Sequence, residues 1–355
     1  MKKLFALLLA LVLVFSLVAC GGQDTQTTEE GGESQTENPY ADIRIALVSD
    51  NIGTEQFILQ AYNAFMAAAE EYGFQATSIE CSDTAAWAEK SRAACVDGYD
   101  MLIGIGSVAA DPFGNLADEF PDIKFAVVDT IAQNDKIKSV AFNTSDGCYV
   151  WGAMVATAFP EETTFGYIGN FQNQSNFEYR YGFLQGLRSV NPDAELMVNF
   201  TDSYSDTTVA YNLAMQQAAA GCKFIMGSVA ASANQGIYQA ALELGEKGTP
   251  IYTSGLSVDQ TTEENPYIIG GLTKNTGVCT TAIIEEFLAG NFTPGAQTLS
   301  FTDGAFCVVG VSFDANYRNT DIITDEVLAA GQKASDDLKS GAVVLEVPLE
   351  ADFEG

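Results

Sequence analysis

Two aspartates each stand directly behind a short apolar run. Asp50 follows the stretch from Ile43 to Ser49, and Asp129 follows Phe125-Ala126-Val127-Val128. A carboxylate fixed at the end of a buried strand accepts hydroxyl or ammonium protons, and open α/β sheets bind ligands at the carboxyl ends of their strands. Two acids at one such edge suit a polyol. Asn51, Gly53 and Phe57, in the turn and first helical residues after Asp50, face the same cleft. Lys274 stands where a helix begins, and the macrodipole disfavours a cation there. A place in the cleft, and not stability, explains it best. Asn170 and Ser228 join these residues as polar side chains that follow further apolar runs.

The chain contains no histidine among its 355 residues. Ser-His and Cys-His catalysis and all His-ligated metal sites are therefore excluded. Paired carboxylates could serve a hydrolase, but no local pattern singles out a pair. The reading is a binding protein without a cofactor. Net charge of −31 repels nucleic acid and anionic headgroups. Gly104-Ile105-Gly106 opens a Gly-x-Gly-x-x-Ala stretch, yet no acid follows at the spacing of a ribose contact, so glycines that admit a ligand to the backbone are the better account. Apart from Cys20, six cysteines lie scattered in apolar contexts without C-x-x-C spacing, as small buried hydrophobes do.

The elements that must hold the candidate residues alternate in type. Strands are expected at 43–48, 75–80, 101–105, 124–128 and 137–142, with helices between them from Phe57, Thr84 and Ala109. After a helix from about Gly147 to Phe159 the alternation resumes: strands at 164–168, 195–200, 224–227 and 250–253, helices at 175–190, 207–220 and 234–246. Later come a strand at 267–271, a helix at 276–288, strands at 298–301 and 306–309, and a helix near 325–339. This is an α/β pattern with parallel strands and right-handed crossovers. The length beyond residue 40 suits two lobes. The division expected is 41–143 plus 272–306 for one Rossmann-like lobe, and 144–271 plus 307–355 for the other.

Residues 1–19 read as a signal peptide, with Lys2-Lys3 followed by an apolar stretch. Leu17-Val18-Ala19-Cys20 resembles the lipobox of bacterial lipoproteins, which implies acylation at Cys20 and a lipid anchor on the extracytoplasmic face of the cell membrane. Residues 20–40, rich in Gly, Gln, Thr and Glu, form a flexible tether.

Several stretches together resemble the basic membrane lipoprotein family, the purine-nucleoside-receptor type of ABC-transporter substrate-binding protein. They are the lipobox, Pro121 to Asp129, Ser139-Val140-Ala141-Phe142 with Gly147, Trp151-Gly152 and Ala156, Phe165 to Gly169, Gly182-Phe183 with Gly186, Ser189 to Pro192, and Ala218 to Ile225. The resemblance implies a type I periplasmic-binding fold with three crossing segments, a nucleoside-like ligand, and permease and ATPase partners. It further implies that Asp50, Phe57, Asp129 and Lys274 hold the base and ribose, and it adds Tyr179 by alignment to a family aromatic. Two departures stand out. Ser257 replaces a ribose-facing aspartate, and the loop from Asn51 to Gln56 is short. Alternatives are a receptor for a sugar or other small solute, and a sensor feeding a signalling partner.

Overall fold

The computed structural model describes residues 38–353 apart from Thr54 and Ala231. The expected signal peptide, Cys20 and most of the tether lie outside the described residues. In chain order the elements are β1 (Arg44–Ser49), α1 (Gln56–Tyr72), β2 (Gln75–Glu80), α2 (Thr84–Val96), β3 (Met101–Ile105), α3 (Ala110–Glu119), β4 (Lys124–Val128), β5 (Lys138–Phe142) and α4 (Ser145–Ala158). They continue with β6 (Thr164–Gly169), α5 (Gln174–Val190), β7 (Glu195–Phe200), α6 (Thr207–Ala219), β8 (Phe224–Ser228), α7 (Asn234–Glu246), β9 (Tyr252–Ser257) and β10 (Ile268–Lys274). Last come α8 (Thr276–Leu288), β11 (Gly295–Leu299), β12 (Phe306–Val308) and α9 (Asp325–Lys339).

Among the described residues the strands form two six-stranded sheets, ordered β11-β5-β4-β3-β1-β2 and β12-β10-β9-β8-β6-β7. All pairings are parallel except β10 with β12. Both faces of each central strand are buried, which explains the near-continuous apolar runs in sequence. On the first sheet Ala46 and Val48 face Trp87 and Phe113 of α2 and α3, while Ile45 and Leu47 face Phe65 and Ile283 of α1 and α8. The second sheet sets Ile168 and Ile225 against α6 and α7, and its other face against α4, α5 and α9.

The chain passes between the sheets after β5, after β10 and again between β11 and β12. The break expected at 271/272 falls inside β10, which continues in the second sheet to Lys274. Strand β9 likewise runs past the expected end at Thr253. A side chain at Gly271 would meet the Gly255 carbonyl, so two glycines let β9 and β10 lie close and carry the pairing past Thr253.

Helices α4 and α5 touch backbone to backbone. A Cβ at Gly182 would strike the main chain of Ser145, one at Gly186 the carbonyl of Tyr149, and one at Gly152 the carbonyl of Phe183. This contact fixes the height at which Tyr179 reaches the strand ends.

Candidate functional site

Asp129 leaves β4 with φ of 71°, a left-handed conformation that non-glycine residues rarely adopt. Its amide is held by the Val140 carbonyl at 2.7 Å. Lys274 ends β10 in the other sheet, and its Nζ donates to both Asp129 oxygens, at 2.8 and 2.9 Å. The two side chains are 16% and 19% exposed, so this ion pair is largely out of water. Burial alone would depress the lysine pKa. The charge of Asp129 and the neighbouring Tyr179 outweigh it, and Lys274 is held well above the ordinary lysine range.

The ring of Phe142 lies 5.7 Å from the same ammonium. Tyr179 is buried, rests edge-on against Phe306 at 5.9 Å, and has its hydroxyl pKa pushed up mainly by burial. Glu178, its neighbour on α5, makes no hydrogen bond among the described residues. Burial raises its carboxyl pKa, with Lys274 pulling the other way.

At the β1 end, Asp50 is exposed and its Oδ1 accepts the Trp87 indole N–H at 2.7 Å. Asn51 is exposed too, and its Oδ1 accepts from the Gly53 amide at 3.2 Å. The short loop is braced further by Glu80, whose Oε2 accepts from the Ile52 amide at 3.0 Å. Phe57 is half-buried; its ring lies 3.9 Å from where a Gly106 side chain would begin, and its carbonyl accepts from Thr276 Oγ1 at 2.6 Å. Gly106 thus meets an aromatic ring. Gly104 makes room for Phe113 and Ala109, so interior packing, and not approach of a ligand, accounts for it.

Ser257 ends β9 with φ of 72°. In its sheet β9 holds the place that β4 holds in the other, so Ser257 and Asp129 are equivalent residues in equivalent conformations. The Ser257 carbonyl accepts from Gln60 Nε2 of α1 at 3.0 Å, a second bond between the lobes.

Asn170 and Ser228 turn inward. Both ends of the Asn170 amide are used inside the lobe: Nδ2 donates to the Val229 carbonyl at 2.6 Å, and Oδ1 accepts from Phe171 N and Asn176 Nδ2. Ser228 is 4% exposed and its carbonyl faces Asn176. These residues tie β6 to β8.

Two aromatic features of the site carry little local mark in the sequence pattern. Trp87 lies in a helix far from Asp50 in sequence, and nothing local marks it. Tyr204, after β7, is 59% exposed and stacks edge-on with Phe171 at 4.9 Å. Its carbonyl accepts from Ser232 Oγ, which also lies 3.4 Å from Glu55 Oε1 of the first lobe. An aromatic at a strand end in a polar loop was the available signal.

Among the described residues no group of acids or cysteines could hold a metal ion, and the six cysteines there are free and buried. Burial pushes the thiols of Cys81, Cys95 and Cys279 up to about 11. No helix among the described residues is long and apolar enough to cross a membrane.

Comparison with known proteins agrees with this architecture. The model of the family Bmp, described as ABC transporter substrate-binding protein PnrA-like, matches residues 44–337. The CD4+ T-cell-stimulating antigen of Listeria innocua is 24% identical over 288 residues, 78% of this chain and 77% of that protein. The ABC transporter nucleoside-binding protein BmpA of Lactococcus lactis is 23% identical over 263 residues, 72% of this chain and 68% of its own length. Among solved structures, an ABC transporter solute-binding protein from Aeropyrum pernix K1 superposes with a TM-score of 0.74 at 18% identity, covering 87% of this chain and 95% of that one. Its two-lobed α/β fold is that of type I solute-binding proteins. With a family match spanning both sheets, this chain belongs to the Bmp family of ABC transporter substrate-binding proteins.

Proposed function

We propose that the protein is a lipid-anchored extracytoplasmic receptor that captures a purine nucleoside, or a close relative of one, between its lobes and delivers it to an ABC permease and ATPase. The observation that carries this reading is the Asp129–Lys274 pair between the two sheets. A carboxylate with lone pairs to spare beside an ammonium offers acceptors and a donor together, and each hydroxyl of a vicinal diol both donates and accepts. Phe57 on one lobe and Phe171 with Tyr204 on the other supply aromatic faces for a flat base. Asp50 and Asn51 add exposed polar groups at the β1 end. Ser257, in place of an acid, leaves the second lobe one charge weaker at the ribose, so the ligand is one that needs a single carboxylate there.

Calorimetry of the body from residue 38 against nucleosides, free bases and sugars tests the ligand. Binding of a nucleoside with the matching base and sugar each far weaker is expected; tighter binding of a sugar would overturn the nucleoside assignment and leave the receptor class standing. For the anchor, cells labelled with a radioactive fatty acid should yield labelled protein that Cys20→Ala abolishes. Equal labelling of both forms would reassign the segment.

A further inference from the structure

We infer that Trp87 is a positioning residue for the ligand site, its indole holding the Asp50 carboxylate in the orientation that meets the ligand. This rests on the reading above that Asp50 touches the ligand. Trp87 is fully buried, yet its Nε1–H donates at 2.7 Å to the carboxylate of an exposed residue at the end of β1. Among the described residues this is the one hydrogen bond of the Asp50 side chain, and it occupies Oδ1. Oδ2 is left for another donor. An exposed aspartate without this bond would sample several rotamers, and ordering it on binding would cost entropy.

The indole itself has little freedom. Asp83 caps α2 by accepting from the Ala86 amide at 2.9 Å, which fixes the helical turn that carries Trp87. Trp87 rests edge-on against Phe113 at 6.3 Å, and Phe113 against Phe125 of β4 at 5.4 Å. Phe113 fits there because Gly104 has no side chain, whose Cβ would come within 2.9 Å of the ring. A run of interior packing from β3 and β4 thus ends in one oriented oxygen at the cleft.

The chain has two tryptophans, so the indole N–H resonance lost in Trp87→Phe identifies that of Trp87. In Asp50→Asn this resonance should shift upfield as a charged acceptor becomes a neutral one; an unmoved resonance overturns the inference. Inosine, guanosine and adenosine are then titrated into the parent, Trp87→Phe, Asp50→Asn and the double variant. Trp87→Phe should weaken the tightest of them about threefold to tenfold, and do nothing further once Asp50 is changed. An equal loss in both backgrounds, or none in either, overturns the positioning role. Asp50→Asn binding as the parent does would instead overturn the ligand contact of Asp50, on which the role depends.

Discussion

Lys274 bridges both oxygens of Asp129; the lysine ends β10 of one sheet and the aspartate directly follows β4 of the other. One ammonium therefore links the lobes at the point where the ligand is expected.

Removing that ammonium leaves a buried carboxylate uncompensated. Lys274→Met should destabilise the protein by about 3 kcal/mol, the low end for a broken buried pair given its residual exposure. Adding Asp129→Asn to Lys274→Met should recover part of the loss. Urea denaturation of the parent and the two variants reads this directly, and a double variant no more stable than the single one would show that the pair contributes through something other than charge.

Asp129 is expected to accept from vicinal hydroxyls. Asp129→Ala should weaken a bound nucleoside by about 1.5 to 3 kcal/mol, roughly tenfold to a hundredfold. Its 2′,3′-dideoxy analogue should lose much less. Equal losses for both would make Asp129 a lobe-bridging residue that does not read the sugar.

Tyr204 presents an exposed ring beside Phe171. Tyr204→Ala should cost about 0.5 to 1.5 kcal/mol of nucleoside affinity, while Tyr204→Phe retains it. Fluorescence or calorimetric titration separates the two, and an alanine variant that binds normally would remove the ring from the site.

Glu178 carries a carboxyl pKa raised by burial. A raised carboxyl pKa means that the folded state binds the proton more tightly than the unfolded chain. The charged form therefore costs stability above the folded pKa, and that cost disappears as pH falls through the folded pKa to the ordinary glutamate value. Glu178→Gln should accordingly raise the melting temperature of the unliganded protein at pH 7 and leave it nearly unchanged near pH 4. A gain that is the same at both pH values would trace to packing instead.

Much of this was legible from the chain alone, because buried parallel strands are apolar on both faces and announce themselves. Asp50 and Asp129 were found by standing just behind such strands. Strand-end position does not say which way a side chain turns, and so Asn170 and Ser228 were placed at the ligand edge although both face the lobe interior. The strand expected at 250–253 runs on through Ser254 and Gly255 because the feature that keeps them in it, the close approach of Gly271, is supplied by another strand. Trp87 was invisible for a related reason: its partner is 37 residues away in sequence. Tyr204 sits between serines in a loop, where no periodicity points to it.

Strand β11 lies at the edge of the first sheet, pairing Gly295 with Lys138 and Leu299 with Phe142. Every strand of the second sheet except β12 precedes it in the chain. As the polypeptide emerges from amino to carboxyl end, β5 therefore waits with an unpaired edge while most of the other lobe is made. Such an edge is a template for pairing with the wrong partner, and closing it requires a contact between distant residues, which is slow. The order of synthesis sets the order of maturation: the lobe begun first is finished late, and a chain that stops short of residue 295 leaves both lobes incomplete.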